Sequence, residues 1–265
     1  MVVNRKVTLA VVAACSVAMA GVATAGASVI SANFTGGNGG PYSLASTDTA
    51  GAVAEQNWNN LSSNNGGPQT LNDSTGTATT ASASWSSADV WGAFGASQSS
   101  PDLQMLNGYI DTHHQTLTSA SVTVSNVPYT SYEVIAYFNS DHANTGSSPS
   151  FGNVNIGSTT YYFTAIGPVS ADYSPSPYTQ TTTTTDPGAA SSSDLADYAV
   201  FTGLSGSSFT LTASAEGLSN SGNNLGITGF QIVDTTAVPE PATMGMFAAG
   251  AMGLLLVSRR KAKAV

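Results

Sequence analysis

From Ser28 to Asp234 the chain alternates apolar and polar residues in short runs, each bounded by Gly, Asn, Pro or Ser. A period of two is the pattern of strands with one buried face. The cleanest run is ASVTVSNV at 120–127, with Val122 and Val124 on one side and Ser121 and Thr123 on the other. Runs at 159–166, 198–204, 208–215 and 225–233 continue the series, and 77–85 joins it with small residues on both faces. Two runs differ. In SVISANF (28–34) Val29 is out of phase with Ile30, which predicts a strand covered on both faces, and YEVIAYF (132–138) is dense enough to lie centrally.

No part of this body carries a convincing amphipathic helical pattern. Many short strands with turn-rich loops predict an all-β fold, an antiparallel β-sandwich of jelly-roll type, in one domain over 28–236. A solenoid would need a fixed internal period, and none is visible. Segments 35–42 and 170–194 read as loops; the second holds Pro175, Pro177, Pro187 and five consecutive threonines. It reads equally as a lobe, a flexible loop or an O-glycosylated patch. Asn33, Asn60 and Asn72 begin N-glycosylation triplets.

Charge changes the picture more than composition does. All six basic residues are terminal (Arg5, Lys6, Arg259, Arg260, Lys261, Lys263), and all fifteen carboxylates lie between Asp48 and Glu240. A body without Lys or Arg cannot neutralise phosphates, which excludes nucleic acid as a partner and disfavours nucleotide sites. Its carboxylates must face water, accept backbone N–H groups or bind a hard cation, for which Ca²⁺ is the candidate cofactor.

The two ends read as addresses. Residues 1–25 form a signal peptide: Arg5 and Lys6 precede an apolar run from Val7 to Val22, and Ala23-Thr24-Ala25 supplies the signal-peptidase site. Ala25-Gly26-Ala27 offers a second cleavage point. Val12-Ala13-Ala14-Cys15 fits a lipoprotein box, but the apolar run continues past Cys15. Ordinary cleavage removes the only cysteine, so the exported body has no disulfide. At the other end (237–265), Val238-Pro239-Glu240-Pro241 leads into sixteen uncharged residues (242–257) and then the basic cluster. A helix of that length spans about 24 Å, short of a hydrocarbon core of about 30 Å, so its insertion is read as transient. The basic cluster would stay cytoplasmic and leave the body outside.

This order of parts resembles the PEP-CTERM sorting signal of exosortase substrates. The resemblance covers about a tenth of the chain. It implies that Pro239, Glu240 and Pro241 are recognised by exosortase, which removes the tail and releases or re-anchors the body at the cell envelope, outer surface or extracellular matrix. It also implies a bacterium that makes exopolysaccharide.

No HExxH, GxSxG or P-loop occurs, so no catalytic residue is assigned and the expectation is a non-enzyme. Two polar constellations remain. YIDTHH (109–114) and NSDH (139–142) could assemble a metal site from Asp111, His113 and Asp141, with Asn139 and His142 beside it. In AEQNWNN (54–60), Trp58 flanked by Asn57 and Asn59 could stack on a sugar while the amides bond its hydroxyls, with Trp85 and Trp91 as further aromatics. The leading expectation is a non-catalytic surface or matrix protein associated with extracellular polysaccharide. The alternative is a lectin-like, calcium-using carbohydrate-binding module. A glycan-cleaving enzyme built on Asp111 or Asp141 ranks below both.

Overall fold

The structure is a computed structural model that describes residues 28–37, 39–112, 119–142, 150–167, 178–216 and 224–236. The signal peptide and the C-terminal segment of the sequence reading, with Pro239, Glu240 and Pro241, lie outside these residues, as does His113. No helix among the described residues is long and apolar enough to cross a membrane.

The described body, within the compact unit 27–237, is nearly all β and forms two seven-stranded sheets. In the first, β12 (Tyr198–Leu204), β8 (Tyr132–Asn139), β14 (Gly226–Asp234), β1 (Val29–Phe34) and β2 (Asn59–Leu61) lie side by side. The pair β5 (Asp89–Gly92) and β6 (Gly108–Asp111) joins it through β14. The second sheet runs β11 (Leu195–Ala196), β10 (Thr159–Ala165), β9 (Phe151–Ile156), β13 (Ser208–Ala215), β7 (Ser119–Ser125), β4 (Ala78–Ser86), β3 (Asn65–Asn72). Pairing is antiparallel except for two short parallel contacts, β1 with β2 and β10 with β11.

The two sheets face each other across one core, as a sandwich requires. Val122 and Leu211 from the second sheet meet Val134 and Phe230 from the first in a single buried cluster. Aromatic rings bridge the layers: Phe138 stacks on Phe163 with centroids 3.6 Å apart, and Phe209 meets the edge of Phe230 at 6.4 Å. In the second sheet β7 and β13 keep their polar alternate positions outward, so their period of two was plain in the sequence.

The first sheet is buried on its outer face too, and β1 shows no exposed position at all. A second apolar cluster covers it, drawn from Val29, Ile135, Tyr137 and Val233 on the strands and from Leu44, Ala50 and Trp58 on the loop above. Met105 and Leu106, at the end of the one-turn helix α1 (Pro101–Met105), complete that cover. Tyr137 and Gln231 beneath it bond each other and the covering loop, while Asn33 Oδ1 is buried with no hydrogen-bond partner among the described residues. The Tyr137 hydroxyl donates to Gln231 Oε1 at 2.5 Å and accepts from the Ala52 amide at 2.7 Å, while Gln231 Nε2 donates to the Val53 carbonyl at 2.7 Å. The expectation of two covered faces for β1 holds, and β8 lies inside the sheet between β12 and β14.

The edges are blunted. β3 carries Gly66, Gly67 and Pro68 and two register irregularities, and β12 is bulged between Phe201 and Leu204. Such interruptions leave no long flat strand open to pairing with another chain.

Candidate functional site

The two sequence segments YIDTHH and NSDH do meet. Beyond the end of β1, β6 takes its place alongside β14, so Gly226 pairs with Asp111 on one side and with Asn139 on the other. Glycine is required there by close approach: a Cβ on Gly226 would lie 2.0 Å from the Ile110 carbonyl oxygen and 2.5 Å from the Tyr109 ring. Gly226→Ala should therefore force β6 off the sheet and cost roughly 1–3 kcal/mol, as overpacking does; thermal unfolding reads the loss.

At this sheet end the Asp141 carboxylate is held by two ring donors. Trp91 Nε1 donates to Oδ2 at 2.9 Å and the Tyr109 hydroxyl donates to Oδ1 at 3.0 Å. Trp91 and Tyr109 are cross-strand partners on β5 and β6, so one sheet register sets both donors. His142 Nε2 lies 3.7 Å from Oδ1, and the side chains of His142 and Asp141 are 32% and 24% exposed. The Tyr109 phenol is held well above the usual tyrosine range, by burial first and then by the charges of Asp141 and Asp111, so it stays a donor. The result is a half-exposed, oriented carboxylate that can accept from a ligand hydroxyl or attract a cation.

It is not a calcium cage by itself. Asp111 is only 3% exposed, and Ca²⁺ takes about six to eight oxygen ligands. Among the described residues no group of three or more His, Cys, Asp or Glu comes together. Asn139 is also committed: its Nδ2 donates to the Leu106 carbonyl and its Oδ1 accepts from the Ser140 amide.

The Trp58 constellation is corrected by the geometry. Trp58 is 5% exposed, its Nε1 donates to the Glu55 carbonyl at 3.0 Å, and its ring packs 6.2 Å from Tyr137. No ring face is left for a sugar. Asn59 is buried and stitches β1 to β3, its Nδ2 donating to the carbonyls of Ser31 and Asn72 and its Oδ1 accepting from the Asn72 amide. Asn57, at φ 57°, donates to the Ser74 carbonyl at 2.8 Å. These amides position loops. Trp85 is likewise core, edge-on to Phe34, with its Nε1 donating to the Ser63 carbonyl.

A surface that no single motif announced is the outer face of the second sheet. Its cross-strand rows are ten hydroxyls and one amide in register: Ser82, Ser125, Ser208; then Ser84, Thr123, Thr210; then Ser86, Ser121, Thr212, Asn155, Thr160. The Thr123 and Thr210 hydroxyls share an exposed hydrogen bond at 3.0 Å. None of these eleven positions carries a charge, although the chain has a formal charge of −9. At about 4.8 Å per strand, the five-residue row runs about 19 Å.

Residues 237–261 match the family model of the PEP-CTERM protein-sorting motif. The tail is therefore a sorting signal, which marks an exported, cell-surface-targeted chain processed by exosortase. No curated protein and no solved structure matches the chain.

Proposed function

We propose that this exported chain is a non-catalytic protein of the bacterial surface and extracellular matrix whose sandwich lies against exopolysaccharide. Signal peptidase removes its leader, and exosortase acts on Pro239-Glu240-Pro241 while the tail is transiently in the membrane. The observation that carries the reading is the charge-free hydroxyl face of the second sheet. Every hydroxyl there is both donor and acceptor, the match for a polyol chain. Acidic polymers would be repelled from the rest of a body that has carboxylates but no Lys or Arg. Each such bond contributes only about 0.5–1.5 kcal/mol net of water, so attachment is weak per contact and becomes firm by multiplicity along a polymer.

The test uses the processed protein and extracellular polysaccharide of the producing bacterium. Thr123→Val with Thr210→Val removes two central hydroxyls while keeping β-branched shape. Retention on the polysaccharide should drop several-fold with an unchanged melting temperature, and a chelator should have no effect. Undiminished retention of the variant, or none by the unaltered protein, would overturn the assignment.

The oriented Asp141 carboxylate favours one second reading, a lectin-like calcium module. Binding that disappears with chelator or with Asp141→Asn would select it. Release of reducing ends from the polysaccharide would instead reveal a glycan-cleaving enzyme.

A further inference from the structure

We propose that residues 178–183 form a pH-gated strap across the seam of the sandwich, closed while Asp197 is uncharged and released when it ionises. Asp197 is the residue at which the chain changes sheets: β11 on one side of it belongs to the second sheet and β12 on the other belongs to the first. The strap ties those sheets together. Its Thr181 amide donates to the Tyr198 carbonyl on β12, and its Thr181 hydroxyl donates to the Tyr162 carbonyl on β10 at 2.6 Å. The Tyr162 amide donates in turn to the Thr183 carbonyl. Asp197 holds the near end twice, its backbone amide donating to the Thr179 carbonyl and its Oδ1 accepting from the Thr179 amide, both at 3.0 Å. Tyr178 continues the strap inward and donates to Asp102 Oδ1 on α1 at 2.5 Å.

This carboxyl is 5% exposed and no Lys or Arg exists between residues 7 and 258 to neutralise it. The titratable groups that face it are two phenols, Tyr198 on β12 and Tyr137 on β8; Tyr137 in turn meets Tyr178 of the strap, whose hydroxyl donates to Asp102 on α1. Burial raises all three phenols above their ordinary range, so they stay neutral and supply no countercharge. Burial also pushes the Asp197 carboxyl up from 3.8 to about 7, the Thr179 hydrogen bond offsetting only part of it.

A raised carboxyl favours the closed, protonated form in acid, and that preference is lost as pH rises through about 7. Opening lets water reach Asp197 and restores its ordinary titration. With values near 3.8 open and about 7 closed, the opening equilibrium rises roughly a hundredfold between about pH 5 and about pH 8. Opening also withdraws the Tyr178 ring from Tyr137, 5.4 Å away, and from Tyr198, which it meets edge-on at 6.1 Å, and so uncovers those two rings.

Amide hydrogen exchange on the processed protein tests this, with peptides from β14 as an internal reference and intrinsic rates corrected for pH. Peptides spanning 178–183 should lose close to a hundredfold of protection between about pH 5 and about pH 8, while β14 holds. Asp197→Asn, neutral throughout, should abolish that difference. A strap whose protection does not change, or that changes only together with β14, would refute the gate. Should Asp197→Asn fail to fold, the carboxyl carbon resonance of Asp197 in the unaltered protein decides: a midpoint near 7 supports the strap, and one in the ordinary aspartate range refutes it.

Discussion

Replacing Pro239, Glu240 and Pro241 together with alanine is expected to stop maturation, leaving the full tail on the chain and the protein in the membrane fraction. The three residues lie inside the stretch that matches the PEP-CTERM motif. A proline on each side of Glu240 limits the conformations open to the motif, and Glu240 supplies its one carboxylate. Downstream, sixteen uncharged residues end in Arg259, Arg260, Lys261 and Lys263. On the function proposed above, that arrangement would delay the chain at the membrane with its basic end inside. Alanine keeps the apolar run and the basic cluster, so the variant should still be exported and arrested there. Immunoblots for the body after cell fractionation read both size and location. A mature-sized, released product from the variant would refute recognition at these three residues.

How much of this was legible in the sequence depends on where each residue's partners lie. In 120–127 and 208–215 one face meets water, so alternation alone exposed the strands. In 132–138 the second covering layer erased the polar face, and density of apolar residues replaced alternation as the signal. NGGPQTLN and FGNVNI escaped notice although they form β3 and β9. Their glycines, proline and amides read as turn residues, and only pairing with β4, β10 and β13 makes them strands. The meeting of Asp111 with the segment around Asp141 was readable from two polar runs that follow apolar ones. Its donors Trp91 and Tyr109 were not, because the β5–β6 register is tertiary. Asp197 was equally silent, since the second aspartate in DLADYA looks as solvated as the first until the strap covers it.

The misreading of Trp58 has the same origin and leads to the second large effect. An indole among amides looks identical in sequence whether its face is open or covered, and here the amides' partners include Ser31, 28 residues away. Trp58→Ala should cost roughly 3–5 kcal/mol of stability, the range for deleting a buried Trp. The ring supports Tyr137, whose hydroxyl holds Gln231 and the loop amide of Ala52. A hole there loosens the cover of the first sheet as well as its packing. Against a total of about 5–15 kcal/mol for an ordinary domain, that loss is large. Urea unfolding would show it as a lowered midpoint at unchanged slope. Polysaccharide retention, measured well below the variant's melting temperature, should stay as in the unaltered protein, because the hydroxyl rows lie on the other sheet. If retention collapsed while the urea midpoint stayed in place, the indole would be a ligand contact after all, and the buried ring would have to open to reach it.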